Sequence, residues 1–101
     1  MAYELILLSN AYKELTEAKD WYNEQRENLG EEFRAEVNLE FDYIEKHPDH
    51  YQTKFSNLKL ALVNRFPYAI YYQKDDNLMQ ITIYAILHTK RNPEVLLKRI
   101  R

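Results

Sequence analysis

The chain opens on a short apolar run, Ala2-Tyr3-Glu4-Leu5-Ile6-Leu7-Leu8, which predicts a strand over 2–8. Ser9 or Asn10 then offers an N-cap oxygen for a helix. From Ala11 to about Gln25 the apolar residues fall at Ala11, Leu15, Ala18 and Tyr22, with Trp21 beside them. Steps of four, three and four mark one helical face, and Glu14, Glu17, Asp20 and Glu24 occupy the others. Asn28-Leu29-Gly30, which holds the only glycine of the chain, breaks the pattern. It resumes from about Glu31 to Lys46 on Phe33, Val37, Phe41 and Ile44, and Pro48 ends it. Two amphipathic helices across so short a break predict an antiparallel hairpin.

Residues 47–57 form a polar connection, after which the period changes to two. Leu58, Leu60 and Leu62 alternate with Lys59, Ala61 and Val63 in a first strand. Arg65-Phe66-Pro67 reads as a turn or edge kink, Tyr68–Gln73 as a second strand, and Lys74–Asn77 as the next turn. Met79 to Leu87 is the longest strand, with Ile81, Ile83, Ala85 and Leu87 on one face and Ile86 on the other. Covered on both faces near its end, it reads as central. Pro93 opens a short terminal helix, Glu94 to Ile100. The fold class is therefore α+β. An N-terminal strand and a helical hairpin precede a three-stranded antiparallel meander, which completes a four-stranded sheet with the helices on one face.

Length fits one domain over 1–101. The absence of cysteine excludes disulfides and thiolate metal sites. Leu5–Leu8 is too short for a signal-peptide core or a membrane span, so the expectation is a soluble, cytoplasmic protein without membrane contact. The net charge of −2 conceals a polarity: residues 1–50 carry −8 and residues 51–101 carry +6. That distribution suggests an acidic back and a basic working face, because the cations of the second half gather at element ends.

The sharpest cluster is Leu87-His88-Thr89-Lys90-Arg91-Asn92-Pro93, where an apolar strand delivers titratable and cationic groups to its tip. His88 has the pKa range for acid–base work, and Lys90 with Arg91 suits a phosphate or carboxylate. The plainer alternatives are a His88 that caps the strand and an Arg91 paired with Glu94. His47-Pro48-Asp49-His50 has ligand-type side chains, but its proline and the absence of a third local histidine favour a structural loop. No metal and no cofactor is expected. Trp21 and Tyr22 belong to the core or its edge, or else to a protein interface.

The element order resembles the RelE/ParE family of bacterial type II toxins. So do three local signatures: Arg65-Phe66-Pro67-Tyr68-Ala69-Ile70-Tyr71-Tyr72, the His88–Pro93 ending, and a hairpin closing near His47-Pro48 before Tyr51. The resemblance covers essentially the whole chain. It implies a toxin neutralised by a cognate antitoxin, acting on DNA gyrase as in the ParE branch or on ribosome-bound mRNA as in the RelE branch. Fold alone does not choose between them. Arg91 falls on an arginine position of the RelE branch. Ala69 stands where that branch carries another arginine, and Leu97 stands near its catalytic tyrosine. The chain is thus nearer to ParE, with Arg65, Tyr68, His88, Lys90 and Arg91 as target-binding or nucleic-acid-binding residues. If it were an RNase, His88, Lys90, Arg91 and Tyr71 would have to supply the catalysis, with Tyr84 as a further proton donor. A third reading is a non-toxic binding module that keeps the fold. Val95, Leu96, Leu97 and Ile100 form an apolar stripe on which an antitoxin would dock.

Overall fold

In the computed structural model, which describes residues 3–99, the chain begins with β1 (Glu4–Leu7), α1 (Ser9–Gln25) and α2 (Leu29–Lys46). It continues through β2 (Thr53–Phe55), β3 (Leu58–Leu62), β4 (Tyr68–Asp75) and β5 (Gln80–His88) to a terminal 3-10 helix (Pro93–Lys98). The strands form one sheet in the order β1-β5-β4-β3-β2. β1 runs parallel to β5, and the other pairs are antiparallel. The expected α+β architecture is present.

Several details differ from the sequence reading, and β4 rather than β5 holds the middle of the sheet. The sheet has five strands, because Thr53–Phe55 folds back onto β3. Three residues with only Phe55 half-buried are too few for an alternation to show. Neither Ser9 nor Asn10 caps α1: the helix starts at Ser9, Leu8 holds the cap position, and no side chain bonds there. Leu8 bridges the two elements through its backbone, donating to the Ile83 carbonyl at 3.2 Å and accepting from Tyr12 N–H at 2.9 Å. The terminal helix is 3-10, capped by Asn92 Oδ1 on Glu94 N–H at 3.0 Å, and its expected end at Ile100 lies outside the described residues.

The helical hairpin covers one sheet face. Leu15, Phe33, Val37 and Ile44 are fully buried there against Ile70, Tyr72, Ile81 and Ile83. On the other face Leu58, Ala69, Tyr71, Ala85 and Leu87 lie beneath Leu96 of the terminal helix. Ile81, Ile83, Ala85 and Leu87 do not share a face as the alternation suggested. Tyr72 is opposite Ile83 and Tyr71 opposite Ala85, so Tyr84 is an extra residue in β5. That bulge inverts the phase of everything after it. Ile86 joins Ile81 and Ile83 under the helices, and His88, two residues on, emerges beside Tyr68 on the helical side.

The connection after α2 is anchored from below. The Tyr72 hydroxyl donates to the Pro48 carbonyl at 2.9 Å, and Lys74 pairs with Asp49 at 2.6 Å. His47 and His50 flank the Tyr43 ring, with centroids 4.7 and 5.3 Å away. Among the described residues no group of three His, Asp or Glu is placed to hold a metal.

Burial pushes the Tyr72 phenol up to about 12, with the Asp49 and Glu40 charges adding to it. Burial also raises Tyr22, Tyr68 and Tyr71. A raised phenol favours the folded state while it stays neutral. That stabilisation is complete below the ordinary value of 10.0 and disappears as pH climbs through the folded value near 12. Tyr72→Phe is therefore expected to lose about 1 kcal/mol at neutral pH, with its hydrogen bond to Pro48. It should also decline less steeply than the parent between pH 10 and 12. Urea titrations at both ends of that range test this, and identical slopes for the two proteins would refute it.

Candidate functional site

β1 pairs with β5 only as far as Ile83, whereas β5 continues to His88. The uncovered stretch begins at the bulge, and a clamp holds it. Glu14 of α1 accepts the Ile86 N–H at 3.1 Å. Arg99 grips the same carboxylate with two bonds of 3.1 and 2.8 Å and reaches the Tyr84 carbonyl at 3.4 Å. Two of the strand groups that β1 leaves unpaired, the Ile86 N–H and the Tyr84 carbonyl, are thereby satisfied by a side-chain pair that is 11% and 18% exposed. Arg99→Leu would leave Glu14 half-buried without its counter-charge. Breaking a buried pair costs about 3–5 kcal/mol, and partial solvation lowers this to about 2 kcal/mol. Glu14→Gln added to Arg99→Leu keeps an acceptor for Ile86 N–H and should recover part of the loss in urea unfolding. A double variant less stable than Arg99→Leu alone would count against the clamp.

Beyond the clamp lies a notch of about 250 Å³ between the second half of α1 and the end of β5. Glu14, Glu17, Ala18 and Trp21 form one wall, and Tyr68, Ile86, Leu87, His88 and Arg91 form the rest. A second hollow, of about 440 Å³, shares Trp21, Tyr68 and His88 and extends over Tyr22 and Pro67. The antiparallel register brings Tyr68 opposite His88, and their ring centroids are 5.4 Å apart, edge to face. Tyr68 is fixed from behind by Phe33 at 5.1 Å and Tyr22 at 6.1 Å.

The strand end is tied into a tight turn. Thr89 N–H donates to the Pro67 carbonyl and Arg91 N–H to the His88 carbonyl, both at 2.9 Å. His88 Nδ1 accepts Lys90 N–H at 3.1 Å, which places the proton of a neutral ring on Nε2. The Lys90 and Arg91 side chains project from this turn into solvent. Among the described residues neither makes an ion pair, with Glu94 or any other acid.

The fold thus gathers Tyr68, His88 and Arg91, with Lys90 adjoining. It does not gather the others. Arg65 sits at a left-handed φ of 71° and pairs with Glu32 at 2.8 Å and Glu36 at 3.4 Å, tying the β3–β4 turn to α2. The Arg65 bond holds the Glu32 carboxyl below its usual range. Tyr71 is buried on the opposite sheet face, and the Tyr84 hydroxyl donates to Gln73 at 3.2 Å. The terminal stripe is not presented whole. Leu96 is fully buried as the roof of the second core, Val95 is half-buried, Leu97 is 41% exposed, and Ile100 lies outside the described residues. Sequence reasoning assigned no role in the site to Glu14 and Glu17, nor a wall to Trp21. The aromatic pair on α1 divides: Tyr22 packs on Phe33 and Phe66 at 5.2 and 4.9 Å, while Trp21 is 53% exposed.

A hairpin-covered sheet whose longest strand ends in a cationic turn is the architecture of RelE/ParE-type toxins. Residues 5–93 match the family model described as ParE toxin of type II toxin-antitoxin system, parDE, and the chain belongs to that family. Its structure is similar to the chromosomal ParDE toxin–antitoxin system of P. aeruginosa, with a TM-score of 0.76 at 11% identity over 87% of this chain and 97% of that one. It is also similar to an E. coli toxin RelE mutant in the free state, with a TM-score of 0.73 at 17% identity over all of both chains. A third likeness is to the toxin–antitoxin complex RelBE2 of Mycobacterium tuberculosis, with a TM-score of 0.61 at 16% identity over 87% and 99%. No curated protein matches in sequence. At these identities the structural likeness concerns the fold. Among the described residues no helix is long and apolar enough to cross a membrane.

Proposed function

We propose that this toxin arrests growth by binding DNA gyrase, as a ligand and not as a nuclease, and that a cognate antitoxin neutralises it. The observation that carries this reading is the division of the would-be catalytic groups between two faces of the sheet. Cleavage at a ribose 2′-hydroxyl needs a base, a cation for the crowded phosphate and an acid for the leaving oxygen. His88 and Arg91 share the notch, but Tyr71 is sealed under Leu96 on the other side. Ala69 is buried and can neither bind phosphate nor move a proton. Burial raises the Tyr68 phenol above its ordinary value, which makes it a weaker proton donor. A cationic tip beside an exposed tryptophan suits recognition of a protein surface.

The antitoxin part of the proposal draws on the family and on the ParDE and RelBE2 assemblies among the structural relatives. Leu97 and Val95 offer it an apolar foothold, and engagement of Leu96 requires the terminal helix to lift. Lifting would speed amide exchange at the terminal helix when the antitoxin binds, and unchanged exchange would rule it out.

The deciding experiment pairs two assays on the purified chain and on cells after brief induction. Inhibited gyrase supercoiling with intact messages supports the proposal. Codon-phased cuts mapped by primer extension, with supercoiling unaffected, overturn it in favour of ribosome-dependent cleavage.

A further inference from the structure

We infer that the notch takes a short extended peptide, which adds as a strand to the bare edge of β5. It places one apolar side chain among Trp21, Tyr68 and His88 and an acidic side chain on Arg91. This deepens the binding reading above, because it states how a protein target is engaged.

The edge is defined by hydrogen-bond direction. Tyr68 turns its carbonyl toward β3, where Val63 N–H donates to it at 2.9 Å. In an antiparallel ladder its partner His88 must then point its own N–H away from β4. Ile86, two residues earlier, has the same orientation, which agrees with its N–H reaching Glu14 on the outer side. Strand β1 has already ended opposite Leu7's partner Ile83. The Ile86 carbonyl and the His88 N–H therefore face outward, at the spacing an added strand requires, and both residues line the notch.

The side-chain pocket follows from the same bulge. By inverting the phase of β5, Tyr84 puts His88 on the side where α1 passes, and the exposed Trp21 closes the hollow opposite Tyr68. A space of about 250 Å³ accepts one leucine-sized or phenylalanine-sized side chain. Trp21, Tyr68 and Arg91 are the residue types that dominate binding energy at protein interfaces.

Charge selects the class of partner. The wall from α1 carries Glu17, and further along that helix come Asp20 and Glu24, whereas the turn carries Lys90 and Arg91. Glu14 is neutralised by Arg99, but Glu17 is in no ion pair among the described residues. A nucleic-acid strand would bring a phosphate every residue against that acidic wall. A peptide meets the acids with its amides and presents a single carboxylate to Arg91.

The test uses the full chain labelled with 5-fluorotryptophan, because its one tryptophan gives one 19F line from the notch wall. Octapeptides randomised at their four central positions are screened against it. Enrichment of an acidic residue within two positions of an aliphatic or aromatic one is expected. Saturable movement of the 19F line and slowed exchange of the His88 amide should accompany it, each read on the parent protein. Trp21→Ala and Arg91→Glu should each weaken the selected peptide at least about tenfold, and backbone N-methylation of its central residue should abolish binding. No enrichment, an unmoved 19F line, or a line that moves instead with oligouridylate overturns the inference. The supercoiling assay separates it from the gyrase reading. Peptide binding without gyrase inhibition leaves the notch standing and removes the target. Inhibition with the Trp21 line unmoved does the reverse.

Discussion

Gly30→Ala is expected to lower stability by about 3 kcal/mol, the upper end of the usual cost of overpacking. For a domain of this length that corresponds to a fall in Tm of more than about 12 °C. The reason is space, since Gly30 does not have a positive φ. A Cβ at this position would lie 2.2 Å from the Lys19 carbonyl oxygen and 2.6 Å from Cγ and Oδ1 of Asn23. The first obstacle is backbone in the last turns of α1, which cannot swing aside. The second is a side chain already engaged, accepting Gly30 N–H at 2.6 Å and donating to Glu31 at 2.8 Å. Relief requires α2 to move off α1, which loosens Phe33 and Val37 in the fully buried layer beneath. Alanine's better helix propensity, worth about 1 kcal/mol, does not offset this. A thermal melt by circular dichroism measures the effect. A fall of less than about 4 °C, the shift for about 1 kcal/mol, would mean that the helices do not depend on this contact.

What the chain discloses depends on how local the determinant is. The helical stripes were readable because 3.6-residue periodicity is a property of each helix alone. Ala11, Leu15, Ala18, Phe33, Val37, Phe41 and Ile44 are all buried where the spacing put them. The turn at the end of β5 was readable for the same reason, since the side chains of His88 and Asn92 make their bonds within two residues and Pro93 opens the helix that follows. The bulge at Tyr84 was not. One extra residue in an apolar strand leaves no compositional mark, and only Ile86, out of phase with its neighbours, hinted at it. The clamp was invisible because Glu14 and Arg99 are 85 residues apart and each looks like an ordinary surface charge. The ion pairs of Arg65 were invisible in the same way, because its partners Glu32 and Glu36 lie 33 and 29 residues earlier, in α2. The candidate site therefore emerged by half: Tyr68 at the start of β4, His88 at the end of β5 and Arg91 in the turn beyond, without the helix wall that makes a notch of them.

The second large effect is expected from Arg91→Glu: growth inhibition is abolished while Tm stays within about 2 °C of the parent. Folding is insensitive because only the backbone N–H of Arg91 is engaged, with His88, and its side chain is exposed and in no ion pair. Surface substitutions of that kind stay within about 0.5 kcal/mol. Binding is sensitive because the change reverses one of two adjacent cations at the mouth of the notch. Loss of a hot-spot arginine costs about 2 kcal/mol or more, about thirtyfold in affinity, and the reversed charge adds repulsion. Arg65→Glu is the informative contrast. It sets a carboxylate against Glu32 and Glu36, so any loss of toxicity should come with a lowered Tm. Plating efficiency on induction, beside a melt of each purified variant, separates the two arginines. If Arg91→Glu stays fully toxic, the target does not touch the cationic turn. If both variants lose toxicity with unchanged melting, Arg65 is a contact residue beside Arg91, and the target surface must extend from the notch to the β3–β4 turn.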